Sequence, residues 1–239
     1  TGAEVAVYVA DVRDGRAVGE ALASAGPVDV LVCNQGLFPS RELEVQDMAE
    51  VERVIDVNLT GTFRLIKAAL PGMKGGGAPR SIALVSSQAG QVGVHGFTAY
   101  CATKFGLRGL AEALQQEVIA YNIHVSIIFP PTFGSPGLIE VNKTRPKLSA
   151  AIASSSGYME ANDVAKILLN GIKSGKFFVN CSFQGTMLSL ATAGLAPQRS
   201  VAMASLEVLL AGFMRFIGLL TVRKWYNTIE KWHTKQKGD

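Results

Sequence analysis

The stretch that decides the fold is Ser81-Ile82-Ala83-Leu84-Val85-Ser86-Ser87. Positions 82–85 are apolar in succession, without the polar alternation of a strand that has one face in water. A strand buried on both faces reads this way, and such strands belong to parallel sheets covered by helices. Downstream, Ala99–Tyr121 has helical spacing. Phe105, Leu107, Leu110, Leu114 and Val118 recur mostly at steps of three and four, with Lys104, Arg108, Glu112 and Gln115 as polar positions. A second apolar run, Ile123–Phe129, then stops at Pro130-Pro131, because proline cannot continue a ladder. Strand, helix and strand in this order make a βαβ unit with parallel strands and a right-handed crossover.

The same alternation extends to both sides. Val5–Val9, Val28–Cys33 and Phe177–Cys181 are further strand-like runs, and helical patterns lie near Gly15–Ala25, Gln46–Leu70 and Ala161–Ser174. The expected architecture is α/β, a doubly wound parallel sheet over residues 1–185. Gly75-Gly76-Gly77 with Pro79 reads as a surface turn and not as a linker between domains. There is no internal repeat.

Residues 186–239 differ in character. Met187–Leu195 is apolar, Pro197 interrupts, and Val201–Val222 is apolar for 22 residues apart from positions such as Glu207 and Arg215. Leu206, Leu209, Phe213, Phe216 and Leu220 form one broad stripe at helical spacing. Trp225, Tyr226 and Trp232 follow among five cations, Arg223, Lys224, Lys231, Lys235 and Lys237, against only Glu230 and Asp239. Apolar stripe, aromatic residues and basic flank together predict an apolar helical tail lying at a membrane surface, since Glu207 and Arg215 disfavour a free-standing span. The alternatives are a helix packed on its own domain or on a second copy in a homo-oligomer.

Composition agrees with one α/β domain and a small appendage. The chain has 239 residues, 48 % of them hydrophobic and 18 % charged, which excludes a disordered polymer. The net charge of +4 is modest and no nucleic-acid recognition motif is present. Cys33, Cys101 and Cys181 lack metal or disulfide spacing and sit in apolar runs, so they are expected to be buried free thiols.

The chemistry centres on Tyr100-Cys101-Ala102-Thr103-Lys104. Residues i and i+4 share a helix face, so the Tyr100 hydroxyl and Lys104 ammonium can converge. A cation beside a phenol is expected to lower its pKa from about 10 toward useful acid–base range. Ser87 lies thirteen residues before Tyr100, at the end of the buried strand. The ligand crevice of an open parallel sheet forms at that end, and a serine there can hydrogen-bond a carbonyl oxygen. Taken alone, Ser87 could equally be a turn or cap serine.

With these residues the chain resembles the short-chain dehydrogenase/reductase family over nearly its whole length. Asn58, in Asp56-Val57-Asn58-Leu59-Thr60-Gly61, matches the family's helix asparagine, and with Ser87, Tyr100 and Lys104 completes its catalytic tetrad. Asp11, in Ala10-Asp11-Val12, matches the adenine-contacting position. Cys33-Asn34-Gln35-Gly36 stands where the family carries Asn-Asn-Ala-Gly, which marks Asn34 and Gly36 as cofactor-side residues. The chain opens at Thr1 without the family's initial strand, Gly-rich turn and helix, so the resemblance implies a Rossmann-like sheet lacking its first βαβ unit.

Within that family the chain is similar to the 3-ketodihydrosphingosine reductases. The stretches that carry this are Ser86–Gln91, Gly96–Tyr100, Arg108–Gln115, Ser135-Pro136-Gly137, Asn142-Lys143-Thr144-Arg145-Pro146 and Gly194-Leu195-Ala196-Pro197. The family's Asp-Thr-Asp of the Pro-Pro loop is replaced by Thr132-Phe133-Gly134, while Ser135 keeps a hydroxyl where the nicotinamide carboxamide is met. The resemblance implies NADPH as cofactor, with contacts from Asp11, Asn34, Gly36, Tyr100, Lys104, Pro130 and Ser135. It also implies a long-chain keto-sphingoid substrate and residence at the endoplasmic reticulum membrane with the active site facing the cytosol. In this reading Tyr100 donates the proton, Ser87 holds the carbonyl, Lys104 tunes Tyr100, and Asn58 holds a water linking Lys104 to solvent. The open alternatives are a reductase of a retinoid or steroid ketone and a noncatalytic truncated form.

Overall fold

In a computed structural model the chain is described over residues 2–75, 77–153, 157–198 and 200–238. Thr1, Asp239 and Gly76 at the centre of the expected turn lie outside the described residues. The elements in chain order are α1 (Gly15–Ala25), β1 (Val30–Cys33), α2 (Met48–Ile55), α3 (Gly61–Lys74), β2 (Arg80–Val85), α4 (Thr98–Val118), β3 (Ile123–Phe129), β4 (Thr132–Phe133), α5 (Pro136–Thr144), α6 (Lys147–Ala153), β5 (Tyr158–Met159), α7 (Ala161–Lys173), β6 (Phe178–Asn180), α8 (Phe183–Thr192) and α9 (Val201–Gly238).

β1, β2, β3 and β6 form a four-stranded parallel sheet in that order. β4 and β5 make a small parallel pair beside it. Ile82, Leu84, Val125, Ile127 and Phe129 face one side and pack with Ile66 and Met73 of α3 and with Leu107 and Leu114 of α4. Ala83, Val85, Ile128 and Val179 face the other side and meet Val164 and Ile172 of α7. β2 and β3 are therefore covered on both faces, which is why their sequences are apolar in succession.

Two expected strands differ. Val5–Val9 forms no ladder with any described residue, and Val5, Val7 and Val9 are 83, 81 and 97 % exposed. Five apolar residues suit a buried strand, but a strand exists only when a neighbour takes up its backbone N–H and C=O groups. β1 forms, yet only Leu31 and Cys33 are buried, because helices cover just one of its faces among the described residues.

The helices follow local rules. Asp47 caps α2, its carboxylate accepting the Ala49 N–H at 3.1 Å, and α3 runs through Pro71 to Lys74, past the expected end at Leu70. α4 closes in a 3-10 turn at Ile119–Tyr121, after which Asn122 takes the left-handed conformation (φ 55°) that asparagine tolerates. All three cysteines are free and buried, and burial pushes Cys33 up to about 12 and Cys181 to about 11.

The C-terminal segment forms two helices. α8 spans the expected boundary at residue 185 and is tied to the loop after β2. Gln88 Nε2 donates to Ser182 Oγ at 3.2 Å and Gln91 Nε2 to Ser189 Oγ at 2.6 Å. α9 continues unbroken through the basic flank to Gly238 and packs against α8 and, more lightly, α6. It rests on the face carrying Met214, Gly218, Val222 and Trp225, and not on the stripe identified from spacing. Leu206, Leu209, Phe213, Phe216 and Leu220 all face outward, exposed.

Candidate active site

Tyr100 and Lys104 stand one turn apart at the start of α4, and Ser87 follows the carboxyl end of β2. Ser87 caps the 3-10 turn Gln88–Gly90 by accepting the Ala89 N–H at 3.2 Å, and its hydroxyl is near enough to Tyr100 to favour the phenolate.

Lys104 is 4 % exposed, and its Nζ donates to the Val85 carbonyl at 2.8 Å while lying 5.5 Å from the centroid of the Tyr100 ring. Burial brings its pKa down to about 8. Tyr100 moves the other way. Burial pushes its phenol up to about 12, offset in part by the hydrogen bond with Ser87. Burial is the largest influence on the phenol in this site, and the Lys104 ammonium spends its hydrogen bond on the Val85 carbonyl and not on the Tyr100 hydroxyl. Gly90 allows the approach of these elements: a Cβ there would stand 2.7 Å from the Lys104 carbonyl oxygen.

Asn58 sits in a π-helical turn, Asp56–Thr60, between α2 and α3, and is fully buried. A π-turn inserts an extra residue per turn and redirects a side chain, a feature common at functional sites. Asn58 Oδ1 accepts the Leu37 N–H at 2.7 Å, while its Nδ2 donates to the Leu37 carbonyl at 2.8 Å and to Thr103 Oγ1 at 3.1 Å. It thus clamps the loop after β1 to α4. A Cβ on Gly36 would lie 3.5 Å from Asn58 Oδ1 and 3.7 Å from Lys104 Nζ, so Gly36 leaves the space between the two open.

Ser87, Tyr100, Lys104 and Gly36 line one cavity of about 620 Å³, within the usual range for a small-molecule site, while Asn58 stands behind its lining. Asn34, Gly36, Pro130 and Ser135 line one part of it together with Ser87, Tyr100 and Lys104. Ser135 also caps α5, accepting the Leu138 N–H at 3.1 Å. Asp11 does not line this cavity. It forms an exposed pair with Arg13 at 2.6 Å, which holds its carboxyl down at about 2, and it receives the Arg13 backbone N–H at 2.9 Å.

The structure adds residues that spacing missed. Arg145 enters the cavity with its guanidinium 5.1 Å from the Phe97 ring, which itself lies 6.0 Å from the Tyr100 ring. Its Nε is buried without a hydrogen-bond partner among the described residues. The sequence flagged it only as part of Asn142–Pro146. Met187 and Leu188 of α8 and Met214, Gly218 and Trp225 of α9 also line the cavity, where no helical period assigns a facing.

A parallel sheet with Ser87, Tyr100 and Lys104 gathered beyond its strand ends has the features of a nicotinamide-dependent oxidoreductase, and the comparisons agree. The family model for short chain dehydrogenase matches residues 1–146, and the chain belongs to that family. It is similar to two 3-dehydrosphinganine reductases of Arabidopsis thaliana. The identities are 54 % over 99 % of this chain and 72 % of the relative, and 55 % over 99 % and 74 %. The 3-ketodihydrosphingosine reductase of Mus musculus is 36 % identical over 90 % of this chain and 64 % of its own length. Among solved structures, a 3-oxoacyl-[acyl-carrier protein] reductase from Brucella melitensis superposes with a TM-score of 0.61 at 28 % identity, covering 72 % of this chain and 68 % of that one.

Proposed function

We propose that this protein reduces 3-ketodihydrosphingosine to dihydrosphingosine with NADPH. One observation carries the reading: a Ser87–Tyr100–Lys104 group opens into an apolar cavity walled by C-terminal helices, in a chain more than half identical to 3-dehydrosphinganine reductases. The residues present fit the nicotinamide half of the cofactor. Asn34, Gly36, Pro130 and Ser135 flank the reacting groups, and a Cβ at Gly36 would narrow the space before Lys104. Lys104 and Tyr100 would hold the nicotinamide ribose, and Asp11, outside the cavity, would serve the adenine end. When bound, NADPH supplies the hydride for the carbonyl carbon.

The chain's own residues do the rest. Ser87 Oγ donates to the carbonyl oxygen and holds it beside the Tyr100 hydroxyl. Tyr100, protonated at neutral pH as a phenol is, gives its proton to that oxygen as negative charge develops there. The Lys104 ammonium stabilises the phenolate left behind, and its burial strengthens that interaction. Asn58 and Gly36 preserve a gap beside Lys104 where a water can return the proton.

The outward stripe of α9 and its basic end support attachment to a membrane. Val201–Gln236 is long and apolar enough to cross one by length and composition. Because its other face packs on α8, we read α9 as lying in the membrane interface, on the cytosolic side of the endoplasmic reticulum. The test of function is kcat/KM for 3-ketodihydrosphingosine with NADPH and with NADH. Turnover with a clear NADPH preference is expected, and no turnover, or a preference for NADH, refutes the reading.

A further inference from the structure

We propose that α9 is a wall of the substrate site: its inner face holds the alkyl chain of the long-chain ketone and limits the chain length accepted. This rests on the reductase reading above and adds the part of the chain that selects the substrate.

The cavity has a direction. Its polar end is set by Ser87, Tyr100 and Arg145, the last placed there by its stacking on Phe97 beside Tyr100. From Ser87 the lining passes to α8, which Gln88 and Gln91 bond through Ser182 and Ser189. α9 packs on α8, and its residues from Met214 to Trp225 line the same cavity. Eleven residue steps at 1.5 Å make that wall about 16 Å long, a length suited to an extended alkyl chain and excessive for a compact ketone. The group placed along it is mainly apolar, because the side chains of Met187, Met214, Ile217 and Val222 offer it no hydrogen bond, with Arg215 and Thr221 as the polar positions of that wall. An amphiphile with a carbonyl near its polar end matches this polarity. The two sides of α9 then have separate tasks, the outer stripe meeting lipid and the inner face meeting the substrate's chain.

Gly218 provides the test. A Cβ built there meets nothing within 4 Å, and the residue lines the cavity, so Gly218→Leu starts its side chain in open space beside the chain's path. Leucine also favours a helix over glycine. Gly212 is the control: it too is open around its Cβ, but it does not line the cavity. In the parent, kcat/KM should rise by roughly three- to fourfold per added methylene up to a limiting length. Gly218→Leu should lower the ratio of kcat/KM for a long-chain to a short-chain β-ketone by at least about tenfold and shorten that limit. Gly212→Leu should keep the parental ratio.

Trp225 gives an independent readout. The chain has two tryptophans, so in a Trp232→Phe background a long-chain ketone should change Trp225 emission at saturation, and a short-chain ketone should not. An unchanged ratio in Gly218→Leu, or Trp225 emission indifferent to the long-chain ketone, overturns the wall. A parent that shows the Trp225 response but reduces no ketone of any length overturns the reductase reading and leaves the wall standing.

Discussion

At the scale of the residue, burial decides more than charge. Tyr100 and Lys104 are drawn in opposite directions by one cause, since desolvation penalises the phenolate and the ammonium alike. Tyr100 is therefore an acid in the resting site, as a proton donor to a ketone should be. Tyr100→Phe is expected to lower kcat for ketone reduction by about 10²- to 10⁴-fold with little change in NADPH affinity, measured by steady-state kinetics and cofactor titration. A variant keeping half its activity would remove Tyr100 from the mechanism. The pH dependence follows from the two values. Below about 8 Lys104 is charged and stabilises the departing phenolate; above it the charge is lost. Reduction should be level below pH 8 and fall as pH rises through it, while the reverse oxidation, which needs the phenolate, should rise toward alkaline pH. Profiles of kcat/KM in both directions check the sign.

At the scale of the element, the π-turn at Asp56–Thr60 is the device that joins fold to site. It turns a fully buried Asn58 toward Leu37 and Thr103, so one amide holds the loop after β1 against α4. Asn58→Ala leaves the Leu37 N–H and carbonyl without that partner, at a cost of about 2–4 kcal/mol. For a chain of this size that is a fall in Tm of roughly 4–16 °C, readable by calorimetry. Loss of activity with an unchanged Tm would instead confine Asn58 to the proton path. The candidacy of Asn58 was legible from the resemblance of Asp56–Gly61. The clamp was not, because it depends on a loop 21 residues away.

At the scale of the whole molecule, α9 carries apolar residues around its circumference, and its tertiary contacts divide them. Phe213 and Phe216, 60 and 59 % exposed, lie on the outward stripe with Leu206, Leu209 and Leu220. Each such side chain is worth about 1.5–3 kcal/mol when fully withdrawn from water. Partial insertion of five of them, with about 1 kcal/mol for each lysine near anionic lipid, suffices to hold the protein at a bilayer. The parent should sediment with anionic vesicles. Phe213→Asp with Phe216→Asp should remain in the supernatant and still reduce a short soluble ketone. If the double variant sediments as the parent does, the attachment lies elsewhere. If it loses a dimer instead, the stripe is a subunit contact.

The sequence by itself determined the βαβ order, the strand-like runs Ser81–Ser86 and Ile123–Phe129, and the Ser87, Tyr100 and Lys104 grouping. Each of these rests on relations within one element or between consecutive ones, where spacing is geometry. The tertiary structure decided what depends on distant neighbours. It left Val5–Val9 without a strand partner among the described residues, because pairing needs a second strand. It raised the Tyr100 pKa, because desolvation sums over every surrounding atom. It brought Arg145 to Phe97 across a gap of 48 residues that no period spans. For α9 the pattern marked a stripe correctly but could not say which way it faced. A helix apolar on all sides has no face that water rejects more than another, so only its packing on α8 chose the one that lines the cavity.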